Sequence, residues 1–133
     1  MKPDLLKGIR VVDFTTYVAA PGAGRMMADW GADVIKVEAP AGDVERKFGP
    51  TLFCPATEEE NPIFDTINGG KDMVMLDLKE PSEMEKFHKL LSKADVFLTN
   101  NRPKALKKMG LDYDSLKEKY PQLIYSIILG YGE

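Results

Sequence analysis

The sequence predicts an α/β domain built on a mostly parallel β-sheet with helices on both faces. Five short segments rich in β-branched and apolar residues alternate with stretches of helical periodicity. The five segments are nearly continuous apolar runs, as expected of parallel strands that are buried on both faces. The chain has 133 residues, 44% of them hydrophobic, which is enough for one globular domain with its own core.

The first two predicted strands flank a helix. The first strand covers 9–14 and the second covers 33–38, and both are rich in valine and isoleucine. Between them, apolar residues recur at helical spacing over 22–30. Gly31 follows at the position where a left-handed backbone conformation ends many helices.

A long stretch from 39 to 72 is rich in proline and glycine and is predicted to be mostly irregular. A short helix over 62–67 is expected inside it, because proline suits the first helical position. Loops of this length in a compact domain are often functional.

The remaining elements continue the alternation. They are a strand at 73–78, a helix at 81–93, a strand at 95–99, a helical turn at 103–108, a helix at 111–120 and a strand at 123–129. The last strand runs directly into the final residues with no covering helix after it. We therefore expect a sheet truncated after the fifth strand and a chain that is the first part of a longer protein.

Composition excludes several classes of protein. The net charge of −3 gives no general attraction to nucleic acid, and the apolar runs are too short to span a membrane. The N-terminus has no apolar core of a signal peptide. Cys54 is the single cysteine, so the sequence predicts neither an internal disulfide nor a zinc site. The low use of cysteine also predicts a cytoplasmic location.

Two segments at the carboxyl ends of predicted strands are candidates for binding. The first contains Gly22-Ala23-Gly24 at the start of the first predicted helix. These residues suit either free N–H groups for a phosphate or tight packing of the helix on the sheet. A dinucleotide fingerprint is disfavoured, because Met27 occupies the third glycine position and the glycines lie seven residues beyond the strand.

The second segment, 100–109, follows the fourth strand and carries four positive charges. Such a run suits either phosphate binding or a solvated basic face. No arrangement of serine or cysteine with histidine suggests a nucleophile, and no carboxylate is marked as one by the sequence.

Taken together, these segments resemble the family III CoA-transferases, the group that includes formyl-CoA transferase and α-methylacyl-CoA racemase. The segments that carry the resemblance, in family order, are 8–15, 20–21, 27–40, 42–43, 76–79, 94–96, 100–103, 109–113, 120–126 and 129–132. Details at 29–31, at Pro55-Ala56 with Glu60-Asn61-Pro62 and at 128–133 resemble the branch that acts on 2-hydroxy acids.

The resemblance implies a Rossmann-like large domain, a small domain and two interlocked subunits. It implies an aspartate nucleophile that forms an acyl anhydride and then an enzyme–CoA thioester. That aspartate is expected beyond Glu133, so no residue here is assigned a catalytic role. Residues 1–133 would be the N-terminal CoA-binding part of the large domain, inactive alone.

The substrates implied are an acyl-CoA and a carboxylic acid, with no metal. The CoA-binding positions implied are Tyr17, Val18, Ala19, Ala39, Leu76, Lys79, Asn100, Asn101, Arg102 and Lys108. Many family members carry a polar residue at Val18 and arginine at Ala39 and Lys108. Two alternatives remain open, an acyl-CoA racemase of the same superfamily and a non-enzymatic nucleotide- or CoA-binding module.

Overall fold

The computed structural model describes residues 4–54, 56–57 and 60–132, and five strands in them form one parallel sheet. The strand order is β3-β2-β1-β4-β5, and every neighbouring pair is parallel. The strands are β1 (Arg10–Phe14), β2 (Asp33–Glu38), β3 (Asp72–Met75), β4 (Val96–Thr99) and β5 (Ile124–Ile127). The predicted α/β class is confirmed.

Five α-helices lie in the described part of the chain, and helices cover both faces of the sheet. They are α1 (Ala19–Asp29), α2 (Pro62–Asn68), α3 (Pro81–Leu91), α4 (Pro103–Met109) and α5 (Tyr113–Lys117). Helix α1 packs Ala28 against Val11 of β1 on one face. Helices α3, α4 and α5 bury their apolar side chains with Val12 on the opposite face. Because Val11 and Val12 are adjacent in β1, their side chains point to opposite faces of the sheet.

Helix α1 begins three residues earlier than predicted, at Ala19 instead of Gly22. Pro21 lies in the first turn, where its missing N–H group costs no hydrogen bond. The Gly22 N–H donates to the Val18 carbonyl at 2.8 Å and is therefore already used inside the helix.

The long stretch after β2 is less irregular than predicted. It contains two 3₁₀ helices, Val44–Lys47 and Gly49–Leu52, before α2. Strand β3 ends at Met75, short of the predicted 78, because the chain turns at Asp77, whose Oδ1 accepts from the Lys79 N–H. Of the residues that resemble the branch acting on 2-hydroxy acids, Pro55 and Glu133 lie outside the described residues.

Two kinds of feature are missing from the described residues. No helix among them is long and apolar enough to cross a membrane. Within the same part of the chain, no group of three or more His, Cys, Asp or Glu side chains is placed to hold a metal ion.

Candidate functional site

The candidate site lies at the carboxyl ends of β1 and β4, two neighbouring strands inside the sheet. The chain leaves β1 toward β2 on one side, whereas β4 leads to β5 on the other, so the strand order reverses between the two loops, the place where an open parallel sheet is expected to have its crevice. In open parallel sheets, ligands bind at such a point. Residues 15–18 and 100–102 form the two walls.

Asn100 and Asn101 connect these walls. The Asn100 side chain accepts from the Thr16 N–H at 3.0 Å and donates to the Thr16 carbonyl at 2.8 Å. The Asn101 amide donates to the Phe14 carbonyl at 3.0 Å. Both side chains therefore fix the end of β1 to the end of β4. The family resemblance implied contact with CoA for these two residues, but not this structural role.

The turn before α1 presents Tyr17 and Val18 to solvent. Tyr17 is 49% exposed and has a φ of 66°, a left-handed conformation that costs most non-glycine residues about 1 kcal/mol or more. Its ring contacts Phe48 edge-on, with centroids 5.9 Å apart. Ala19, the next predicted position, is the first residue of α1. The turn is thus a strained, exposed segment at the site.

A buried ion pair lies behind this turn. The Lys36 ammonium is 2.8 Å from Asp43 Oδ2, and both side chains are at most 1% exposed. Burial by itself raises the pKa of Asp43. Hydrogen bonds from the Lys36 ammonium, the Glu45 N–H and the Thr16 hydroxyl outweigh that effect and hold this pKa below its usual range.

A second buried pair explains one glycine of the first candidate segment. Lys71 Nζ is 2.7 Å from Asp13 Oδ2 and also donates to the Pro21 carbonyl at 2.7 Å. A Cβ on Gly24 would lie 3.2 Å from that ammonium and closer still to the Asp13 carboxylate. Gly24 therefore permits tight packing of α1 on the sheet. The alternative of free N–H groups for a phosphate is wrong for Gly22, whose N–H bonds within α1.

Four of the predicted positions line one cavity of about 620 Å³. Ala39 follows β2, Leu76 and Lys79 follow β3, and Lys108 lies on α4. The other lining residues are mainly apolar and comprise Phe14, Asp77, Leu78, Pro81, Met84, Ala105 and Met109. An apolar cleft with two ammonium groups suits a flat aromatic ring that carries phosphates.

The other predicted positions lie apart from this cavity. Tyr17, Val18, Ala19, Asn100 and Asn101 surround the crevice between β1 and β4, and exposed Arg102 precedes α4. The predicted residues therefore form two groups along one edge of the sheet: a polar crevice in its middle and an apolar cavity beside it.

A larger open groove of about 910 Å³ lies at the β3 edge of the sheet. It is lined by Met73, Met75 and Arg46, among others, and contains none of the predicted positions. Arg46 forms two hydrogen bonds to Glu38, at 2.9 and 2.7 Å, so its guanidinium is already paired.

The pairing of the buried charges was not predicted from the sequence. Asp13 pairs with Lys71 and accepts from the Thr15 hydroxyl. One signal was available. Lys36 interrupts the apolar run Val34-Ile35-Lys36-Val37, and a lysine inside a buried strand requires a partner.

Comparisons with known proteins show which family shares this sequence and fold. The family model described as CoA-transferase family III matches residues 6–133. A crystal structure of a CAIB/BAIF family protein from Brucella suis superposes with a TM-score of 0.88 at 39% identity, covering 99% of this chain and 35% of that one. A Mycobacterium tuberculosis protein superposes with a TM-score of 0.84 at 41% identity, covering 99% and 35%.

Two curated relatives are enzymes. The chain is 50% identical to (R)-2-hydroxy-4-methylpentanoate CoA-transferase of Clostridioides difficile over 129 residues, 97% of this chain. It is 46% identical to cinnamoyl-CoA:phenyllactate CoA-transferase of Clostridium sporogenes over 130 residues, 98% of this chain. The chain spans about a third of each relative's length, 32% in both cases. By sequence and by fold, the chain belongs to CoA-transferase family III.

Proposed function

We propose that this chain is the CoA-binding part of an enzyme that moves CoA between an acyl- or enoyl-CoA and a 2-hydroxy acid. The observation that carries the proposal is the cavity that contains Ala39, Leu76, Lys79 and Lys108. These four positions are among those that the family resemblance implies for contact with CoA, and all four line one cleft.

The chemistry of the cavity matches the nucleotide end of CoA. Its apolar lining, which includes Leu76 and Met109, suits the faces of an adenine ring. Lys79 and Lys108 supply positive charge for phosphates as point charges, without the bidentate geometry of arginine. From there, the pantetheine arm would extend along the sheet edge toward the crevice at Tyr17.

The choice of acid rests on the relatives. The names of the two clostridial proteins include 2-hydroxy-4-methylpentanoate and phenyllactate, which are both 2-hydroxy acids. We carry this substrate class to the present chain as part of the proposal.

The proposed chemistry is acyl transfer through an aspartate. The carboxylate attacks the thioester carbonyl, forms a mixed anhydride and releases CoA as a thiolate. The thiolate attacks the anhydride at the aspartyl carbonyl, giving an enzyme–CoA thioester and the first free acid. The acceptor carboxylate attacks that thioester, expels CoA as a thiolate and forms a new anhydride. The thiolate then attacks the acceptor carbonyl, which gives the acceptor–CoA thioester and releases the free aspartate. We place this aspartate outside residues 1–133, in an interlocked cytoplasmic homodimer, and we expect this chain alone to be inactive.

Calorimetric titration of the full-length protein that carries this chain tests CoA binding. We expect CoA to bind and NAD not to bind. Lys108→Met should weaken CoA binding about tenfold, with a smaller dependence of affinity on salt, because one cation–phosphate contact is removed. Lys107→Met is the matched control, since it removes the same charge from α4 outside the cavity. Equal losses in the two variants would contradict the proposed site.

Transfer activity tests the reaction class. The full-length protein should transfer CoA from an enoyl-CoA to a 2-hydroxy acid, whereas residues 1–133 should not. Exchange of the α-proton without transfer of CoA would indicate a racemase instead. Transfer by residues 1–133 alone would contradict the placement of the nucleophile.

A further inference from the structure

We propose that Asp43 is a positioning residue, which with Lys36 fixes the exposed turn at Tyr17 in its CoA-binding conformation. The inference rests on the proposed CoA function and adds two residues that contribute no atoms to the candidate cavity. Asp43 lies at the start of the first 3₁₀ helix, 26 residues after Tyr17 in sequence.

One carboxylate oxygen holds the turn directly. Asp43 Oδ1 accepts from the Thr16 hydroxyl at 2.9 Å and from the Tyr17 N–H at 3.2 Å. It also accepts from the Glu45 N–H at 3.1 Å and so caps the 3₁₀ helix. The same oxygen therefore joins the turn before α1 to the loop after β2.

The other oxygen is held by Lys36, which also contacts the end of β1. Lys36 Nζ is 2.8 Å from Asp43 Oδ2 and donates to the Thr15 carbonyl at 3.0 Å. Thr15, Lys36, Asp43 and Thr16 thus form a closed ring of contacts behind Tyr17. The ring secures a backbone conformation that tyrosine seldom adopts.

The charge of Asp43 is essential to this arrangement. Three donors face Oδ1, and the Lys36 ammonium lies 2.8 Å from Oδ2 as an ion pair, so neither oxygen can be replaced by a group that carries hydrogen. An asparagine at this position would turn its NH₂ group either toward the three donors or toward Lys36. In both orientations donors face donors, and the turn is released.

The test measures CoA affinity by calorimetry in the full-length protein that carries this chain. Asp43→Asn should weaken CoA binding at least tenfold. Thr16→Val removes only the hydroxyl that donates to Asp43 and should weaken binding about fivefold, whereas Thr16→Ser retains a hydroxyl and should restore affinity. Thr66→Val is the matched control, since that hydroxyl donates to the Pro62 carbonyl at an exposed position of α2.

Steady-state kinetics distinguish a positioning role from a general loss of stability. Thr16→Val should raise KM for the acyl-CoA and leave KM for the acid unchanged, with a thermal midpoint equal to that of Thr66→Val. If Asp43→Asn does not fold, the threonine series decides alone. CoA binding by the wild type with no loss in Thr16→Val would overturn the positioning role. An absence of CoA binding by the wild type would overturn the proposed function and this inference together.

Discussion

Replacing Gly24 with alanine should destabilise the protein, although alanine is the better helix former. In the interior of a helix, the change from glycine to alanine ordinarily gains about 1 kcal/mol. At Gly24, the new Cβ would lie within 3.0 Å of Asp13 Oδ2 and 3.2 Å from Lys71 Nζ. Asp13 has little room to retreat, because it is fully buried and its carboxylate is held by Lys71.

The expected loss follows from the contact that alanine displaces. Breaking a buried ion pair costs about 3–5 kcal/mol. Subtracting the helix gain of about 1 kcal/mol leaves a net loss of about 2–4 kcal/mol. Gly22 offers a matched control in α1, since a Cβ there meets no atom within 4 Å. Gly22→Ala should therefore be neutral or gain about 0.5–1 kcal/mol.

Urea unfolding of the full-length protein that carries this chain, followed by circular dichroism, measures the difference. The midpoint of Gly24→Ala should fall clearly below that of the wild type, and the midpoint of Gly22→Ala should not. If the two alanine variants unfold at the same urea concentration, Asp13 is free to move and the argument for tight packing fails.

Three further predictions concern the same region. Lys71→Met leaves Asp13 buried without its ammonium and should cost about 3–5 kcal/mol of unfolding free energy in urea titration. Asn100→Ala removes two hydrogen bonds to Thr16, so it should lower stability by about 1–3 kcal/mol and speed hydrogen exchange in that loop. Burial raises the pKa of Glu38, but hydrogen bonds from a guanidinium and a backbone N–H lower it overall. The stability that Glu38 contributes is therefore complete above its ordinary pKa of 4.5 and is lost as the pH falls through its lower folded value. Thermal midpoints between pH 6 and pH 3 should thus decline less in Glu38→Gln than in the wild type.

The sheet could be predicted from the sequence because its strands depend on local pattern. Apolar runs such as 33–38 and 95–99 are buried on both faces, and β-branched residues favour extended backbone in any such setting. The four cavity positions were implied by the family resemblance, whereas local pattern indicated only that the basic segment 100–109, which contains Lys108, follows the end of a strand. What local pattern shows poorly is where a helix begins, as the start of α1 before Pro21 illustrates.

The pairing of the buried charges could not be predicted, because it joins segments distant in sequence. Asp13 and Lys36 are register partners on β1 and β2, which favours a direct pair. Each instead pairs elsewhere: Asp13 with Lys71, 58 residues away, and Lys36 with Asp43. Only the path of the chain after β2 decides between the two patterns.

The choice of these partners determines which segments the buried ion pairs connect. A direct Asp13–Lys36 pair would join only two strands that backbone hydrogen bonds already hold together. The Asp13–Lys71 pair instead attaches β1 to the segment before β3. The Lys36–Asp43 pair attaches β2 to the loop that follows β2. Buried ion pairs contribute little net stability compared with apolar residues of similar size, so their value lies in the conformation that they select. Here the selected conformation is that of the loops around the crevice, where the CoA of the proposed reaction would bind.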